Sequence, residues 1–114
     1  MIKLYGINNC DTIKKTKKWL DEKKLDYEFH DYKKLGCSPQ LAKQFIDHLP
    51  LRDVINTRGT TWRKLPDKVK NDLNKDTAID LMVEQSSVIK RPIFDINGEW
   101  MIGFDTEKLF TAIK

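Results

Sequence analysis

Apolar and polar residues alternate across residues 2–6, with Leu4 and Tyr5 inside the run, and this spacing predicts a short first strand. Asn8-Asn9 then breaks the pattern as a loop. From about residue 11 to 24 the period changes: Ile13, Thr16, Trp19 and Leu20 share one side and lysines take the other, as in an amphipathic helix. Residues 27–31 read as a second strand with Tyr27 and Phe29 on one face. Strand, helix, strand in that order predicts a right-handed parallel unit.

The middle of the chain is patterned differently. Ser38 caps a helix whose first position is Pro39 and whose buried stripe is Leu41, Ala42, Phe45, Ile46 and Leu49. Pro50 opens a further short helical stretch with Leu51, Val54 and Ile55. Residues 56–65 are polar, while 66–73 and 76–84 read as helices, the second through Ala78, Ile79, Met82 and Val83. No strand pattern appears between 38 and 85. Ile93, Phe94 and Ile96 precede Asn97-Gly98, and residues 99–102 follow as a second apolar run, a strong hairpin signal. Asp105 caps a terminal helix carrying Leu109, Phe110 and Ile113. The order predicts an α/β, thioredoxin-like fold: a core of residues 1–37 and 86–114, with an all-helical insertion at 38–85.

Composition narrows the class. The 114 residues are one domain's worth, and 39% hydrophobic with 33% charged argues against disorder and against a membrane protein. The first residues lack the layout of a signal peptide, so a cytoplasmic monomer without a membrane partner is expected. Lys and Arg number 21 against 17 acids, a net +4. Between Lys14 and Lys24 six lysines face only Asp21 and Glu22, a local excess of +4, so the remainder is balanced. That focus is either a solvated helix face or an attractor for an anionic ligand; it is too mild to imply nucleic acid.

Two cysteines, Cys10 and Cys37, make neither a disulfide framework nor a zinc cluster. Ile13 stands three residues after Cys10, so there is no Cys-x-x-Cys pair, and redox chemistry there would use one thiol and an external partner. Cys10 lies where the first strand passes into the first helix. Unpaired amides and the positive end of the helix dipole favour its thiolate, and Lys14 adds charge one turn on, while Asp11 opposes it. An inert core cysteine fits the same position. Arg91 precedes Pro92 at the entrance of the hairpin, as a site arginine or a surface one. The 56–65 stretch, with Arg58, Gly59 and Arg63, suits a carboxylate or oxyanion, or is a connecting loop over Trp62 and Leu65. Cys37 reads as a loop thiol, or as one that resolves a mixed disulfide at Cys10; His30 reads as a strand residue and His48 as solvent-facing. No metal-ligand spacing or phosphate loop stands out.

Three stretches together carry a resemblance. Leu4-Tyr5-Gly6-Ile7-Asn8-Asn9-Cys10-Asp11-Thr12-Ile13-Lys14-Lys15 resembles the active-site segment of the ArsC-like family of arsenate reductases, Spx and YffB proteins. Asn56-Thr57-Arg58-Gly59-Thr60-Thr61-Trp62-Arg63-Lys64-Leu65 resembles the signature loop of its YffB and Spx branches, and Ile89-Lys90-Arg91-Pro92-Ile93 its Arg-Pro segment. The resemblance spans essentially the whole chain and is nearest the YffB branch. It implies that Cys10 is the redox nucleophile and that Arg58 and Arg91 hold an oxyanion and the thiolate. Lys14 stands where those enzymes carry an arginine. Pro92 matches a proline that is commonly cis and faces the cysteine. Binding of substrate or glutathione is expected from Asn9, Asp11, Thr12, Lys14, Arg58, Lys90, Arg91 and Pro92.

Two departures bear on activity. Arsenate reductases of this type carry a further arginine in the last hairpin, where residues 100–104 here have none, and a histidine where this chain has Gly6. Losing one guanidinium removes charge-assisted bonds of roughly 1.5–3 kcal/mol, about 10- to 100-fold in oxyanion affinity. The expected activity is therefore glutathione-dependent thiol–disulfide exchange. No tightly bound cofactor is expected: glutathione is a co-substrate, a thiol, disulfide or oxyanion is the substrate, and glutaredoxin is a candidate partner. The alternatives are arsenate reduction proper and an Spx-like regulator that binds RNA polymerase.

Overall fold

Four strands form one mixed sheet: β1 (Ile2–Gly6), β2 (Tyr27–Asp31), β3 (Ile93–Ile96) and β4 (Glu99–Ile102), in the spatial order β2-β1-β3-β4. The computed structural model describes residues 2–113. Its chain divides into two compact units, Met1–Leu35 with Arg91–Lys114, and Gly36–Lys90. The sheet belongs to the first. β1 runs parallel to β2, reached through helix α1 (Asp11–Glu22), and antiparallel to β3. A thioredoxin-like α/β fold is the result.

Alternation along the strands decides what the sheet buries. Ile2, Leu4, Phe94 and Ile96 point to one face and meet Ile13 and Leu20 of α1 and Leu109 of α7 (Thr106–Ile113). Tyr5, on the opposite face, is buried too: it stacks on Trp100 with ring centroids 6.0 Å apart and lies against His30 at 5.6 Å. The α1 helix stops at Glu22, two residues short of the expected end. Lys24 turns into the left-handed region (φ 57°), while Leu25 N–H bonds the Leu20 carbonyl and Lys24 N–H that of Asp21. Those bonds form a Schellman closure, which satisfies carbonyls the helix would otherwise leave open.

The hairpin follows its turn residues. Asn97 (φ 53°) and Gly98 (φ 92°) both take positive φ, as a two-residue turn with the twist of the flanking strands requires, and Asp95 Oδ1 accepts Gly98 N–H at 2.9 Å. Asp105 Oδ1 accepts the amides of Glu107 and Lys108 at the start of α7.

The second unit holds α2 (Pro39–His48), α3 (Leu51–Val54), α4 (Thr60–Arg63), α5 (Asp67–Asn71) and α6 (Lys75–Glu84). Ser38 Oγ accepts the Leu41 amide at 3.1 Å, as its place before Pro39 requires. Phe45, Val54, Ala78, Met82, Val88 and Ile89 are fully buried or nearly so. Three features depart from the sequence reading. The polar 56–65 stretch contains the helical turn α4, α6 begins at Lys75 under an Asn74–Thr77 capping box, and Ile55 and Ile89 form an antiparallel bridge. Two backbone bonds flank that bridge, Asn56 N to Val88 O at 2.8 Å and Lys90 N to Val54 O at 2.7 Å. No helix among the described residues is long and apolar enough to cross a membrane.

Candidate active site

Cys10 occupies the N-cap position of α1, with extended backbone (φ −146°, ψ 130°), and its carbonyl accepts the first helical bond from Lys14 N–H at 3.0 Å. A helix start leaves amides without helical partners. Here the amides of Ile13 and Thr12 act on the half-buried Cys10 sulfur, although neither closes a full side-chain capping hydrogen bond. Burial is the largest influence and raises the thiol pKa. The Ile13 amide, a hydrogen bond from the Arg91 side chain, the Thr12 amide and the Arg91 charge oppose it and prevail, so Cys10 titrates below the ordinary thiol value.

Sheet register explains how Arg91 arrives there. Tyr5 pairs with Ile93 across β1 and β3, so the residues just before β3 lie beside the end of β1. A Cβ placed on Gly6 would sit 3.7 Å from Arg91 Cβ. Arg91 is half-buried and its Nε is fully shielded from solvent. The Arg91–Pro92 bond is cis, and the Pro92 carbonyl accepts Gly103 N–H at 2.9 Å, which ties this segment to the chain leaving β4.

The remaining expected site residues fall into two groups. Asn9, Asp11 and Lys14 are exposed around the start of α1; Thr12 is half-buried and its carbonyl accepts the Thr16 hydroxyl at 2.7 Å. Among the charged groups of the described residues, Arg91 lowers the Cys10 pKa, by a hydrogen bond and by its charge, where the sequence reading weighs Lys14 against Asp11. Arg58 and Lys90 belong to the helical unit. There both are exposed and line a hollow of about 350 Å³ with Arg52, Asp53, Asn56 and Thr57. The Arg58 amide bonds Asn56 Oδ1 at 3.3 Å.

Cys37 lies in the loop before α2, as the sequence reading has it, and is buried there, which pushes its pKa up to about 11. His48 is exposed and His30 sits in β2, as the sequence reading has them. Among the described residues no cluster of three or more His, Cys, Asp or Glu is placed to hold a metal ion.

Two residues, Asp31 and Lys17, tie down Asn8 in the chain leading to Cys10 and are not read from the sequence as part of the site. Asp31, at the end of β2, accepts Asn8 N–H through Oδ2 at 3.2 Å, and the Asn8 side chain accepts Lys17 Nζ at 2.8 Å. An aspartate closing a strand is the only local signal for the first contact.

The ArsC family model matches residues 5–111 of this chain. The chain belongs to the ArsC family. A solved YffB protein is 40% identical, with a TM-score of 0.94 and all of both chains covered. An arsenate reductase (ArsC) related protein from Brucella melitensis is 39% identical over 99% of this chain and 94% of its own, with a TM-score of 0.78. An uncharacterized protein of Haemophilus influenzae is 41% identical over 112 residues, 98% of this chain and 97% of its own. At lower identity, 23% over 111 residues, the chain is also similar to the global transcriptional regulator Spx of Lactiplantibacillus plantarum, covering 96% of this chain and 83% of that one.

Within this ArsC-family chain the Gly6 departure has a steric cause. The space a Cβ would enter there is already taken by the end of the Ile13 side chain, with Ile13 Cγ1 at 2.9 Å, and Ile13 is completely buried. A histidine cannot be added at that position without displacing the core beneath α1.

Proposed function

We propose that this ArsC-family protein is a glutathione-dependent monothiol reductase with Cys10 as nucleophile. The observation that carries the reading is the Cys10 sulfur, half-buried at the start of α1, with the Ile13 and Thr12 amides and the Arg91 guanidinium lowering its pKa. A thiolate available near neutral pH is what disulfide exchange requires. The Cys10 thiolate attacks the glutathione sulfur of a mixed disulfide R–S–S–G, forming Cys10–S–S–G and releasing R–S⁻. A free glutathione thiolate then attacks the glutathione sulfur of that adduct. Cys10 returns as thiolate and GS–SG leaves, so that, protons included, R–S–S–G and one glutathione become R–SH and GS–SG.

Each residue has a distinct part. Arg91 stabilises the Cys10 thiolate both as nucleophile and as leaving group. In the sheet unit Lys14 supplies a cationic group for a glutathione carboxylate, with Asn9, Asp11, Thr12 and Pro92 lining the binding site; the part given to Arg58 and Lys90 rests on the family resemblance. The backbone just before Pro92 offers strand-like hydrogen bonds to the bound peptide. The protein acts in the cytoplasm as a monomer, with glutaredoxin a further partner.

The test is turnover of a glutathionylated peptide with glutathione, glutathione reductase and NADPH. Wild type is expected to exceed the rate with glutathione alone, and Cys10→Ser to lose that excess. A wild-type rate no greater than the glutathione background overturns the proposal. Arsenate in place of the peptide tests the oxyanion alternative, and the two missing features at Gly6 and in residues 100–104 predict little turnover there. Co-purification with RNA polymerase that survives Cys10→Ser would replace the enzyme reading with a regulatory one.

A further inference from the structure

The chain between β1 and α1 is short, and a thiolate depends on where its donors sit. Residues 7–9 carry Cys10 from the end of β1 to the helix start, and Asn8 is fastened on two sides. Its backbone N–H donates to Asp31 Oδ2 at 3.2 Å, and its side-chain Oδ1 accepts Lys17 Nζ at 2.8 Å. The Lys17 ammonium is itself seated 3.8 Å from the centre of the Phe29 ring. Asp31 is held in turn by its own loop. Its Oδ1 accepts the amides of Lys33 and Lys34 at 3.0 and 3.1 Å, its carbonyl accepts Leu35 N–H, and the next residue, Tyr32, donates to the Gly6 carbonyl at 3.0 Å. Thus the end of β2 grips the chain at Gly6 and at Asn8, two residues before the sulfur.

We infer that Asp31 is a positioning residue for Cys10: through Asn8 it fixes the β1–α1 loop so that the sulfur stays in register with the first-turn amides and Arg91. This rests on the thiolate role given to Cys10 above. The carboxylate works through geometry, since its negative charge would by itself disfavour a nearby thiolate. That opposition of signs makes the inference testable. In Asp31→Asn one oxygen suffices for the two turn amides, and the new NH₂ then confronts the Asn8 N–H. Loss of the negative charge predicts a lower Cys10 pKa; loss of positioning predicts a higher one.

The experiment follows alkylation of Cys10 by iodoacetamide across pH, read by mass spectrometry on the peptide containing it, with Cys37 alkylation reporting global opening. For Asp31→Asn the expected result is a midpoint raised toward the ordinary thiol value. Alkylation below that midpoint should slow by about 3- to 10-fold, with Cys37 still protected. An unchanged or lowered midpoint overturns the inference. If Asp31→Asn fails to fold, Asp31→Ser provides the same readout: its hydroxyl can accept the Lys33 and Lys34 turn amides but leaves the Asn8 N–H without the second carboxylate oxygen, so a raised midpoint supports the role and an unchanged or lowered one refutes it. Wild-type failure to turn over a glutathionylated peptide would remove the proposed activity while leaving this alkylation result to stand or fall separately.

Discussion

At the scale of single residues, the two cysteines show how one side chain takes opposite properties from its surroundings. Cys10 is shifted down by amides and a guanidinium that outweigh burial; Cys37 is shifted up to about 11 by burial. Removing the guanidinium should therefore leave burial less opposed. Arg91→Ala is expected to raise the Cys10 midpoint and slow its alkylation at neutral pH by about 10-fold, with Arg91→Lys intermediate because it keeps charge but loses the fork; pH-dependent alkylation checks this. The linkage signs differ as well. The depressed Cys10 value contributes stability that is present above the unfolded thiol pKa of about 8.5 and lost as pH falls through its native value. The raised Cys37 value contributes stability present below about 8.5 and lost as pH rises toward about 11. Urea unfolding at pH 7 and pH 10 should show the loss at high pH shrink in Cys37→Ala. Cys10 was legible as a helix-start cysteine, because sequence neighbours alone place it there. The burial of Cys37 was not, since no neighbour in Gly36-Cys37-Ser38 signals it.

At the scale of elements, local chemistry accounts for most boundaries. Asn97-Gly98 and Ser38-Pro39 announce a turn and a helix start because each demands a backbone state few other residues accept. Gly98→Ala places a Cβ at φ 92°, in open space but in a region disfavoured by about 1–2 kcal/mol, so thermal unfolding should detect a loss of that order. Asn74→Ala removes the side-chain half of the α6 capping box and should cost about 1 kcal/mol in the same assay. The signals that escape reading are weaker. The α4 turn has four residues, none buried, so it shows no apolar period. The Ile55–Ile89 bridge joins residues far apart in sequence, and neither flank alternates long enough to read as a strand.

At the scale of the whole molecule, the site follows from strand register. Because β1 pairs with β3 as well as β2, Arg91 comes beside Gly6 and the helix start that follows it, although some eighty residues separate Arg91 from Cys10 along the chain. Gly6 admits that approach while Ile13 fills the space a side chain would use. Gly6→Ala should therefore destabilise by about 1–3 kcal/mol through overpacking, and Ile13→Val in the same chain should recover part of the loss. A double-mutant cycle in urea measures the coupling; additive losses would show that the two positions do not share that space. The sequence by itself determined the strands, the principal helices, the hairpin and the place of Cys10 at a helix start, because periodicity, caps and turn residues act over a few neighbours. Only tertiary structure decided that Arg91 supplies the charge at the sulfur, that Asp31 grips the loop before it and that Cys37 is buried. Those outcomes depend on pairing and packing between distant segments, which local residue patterns do not encode.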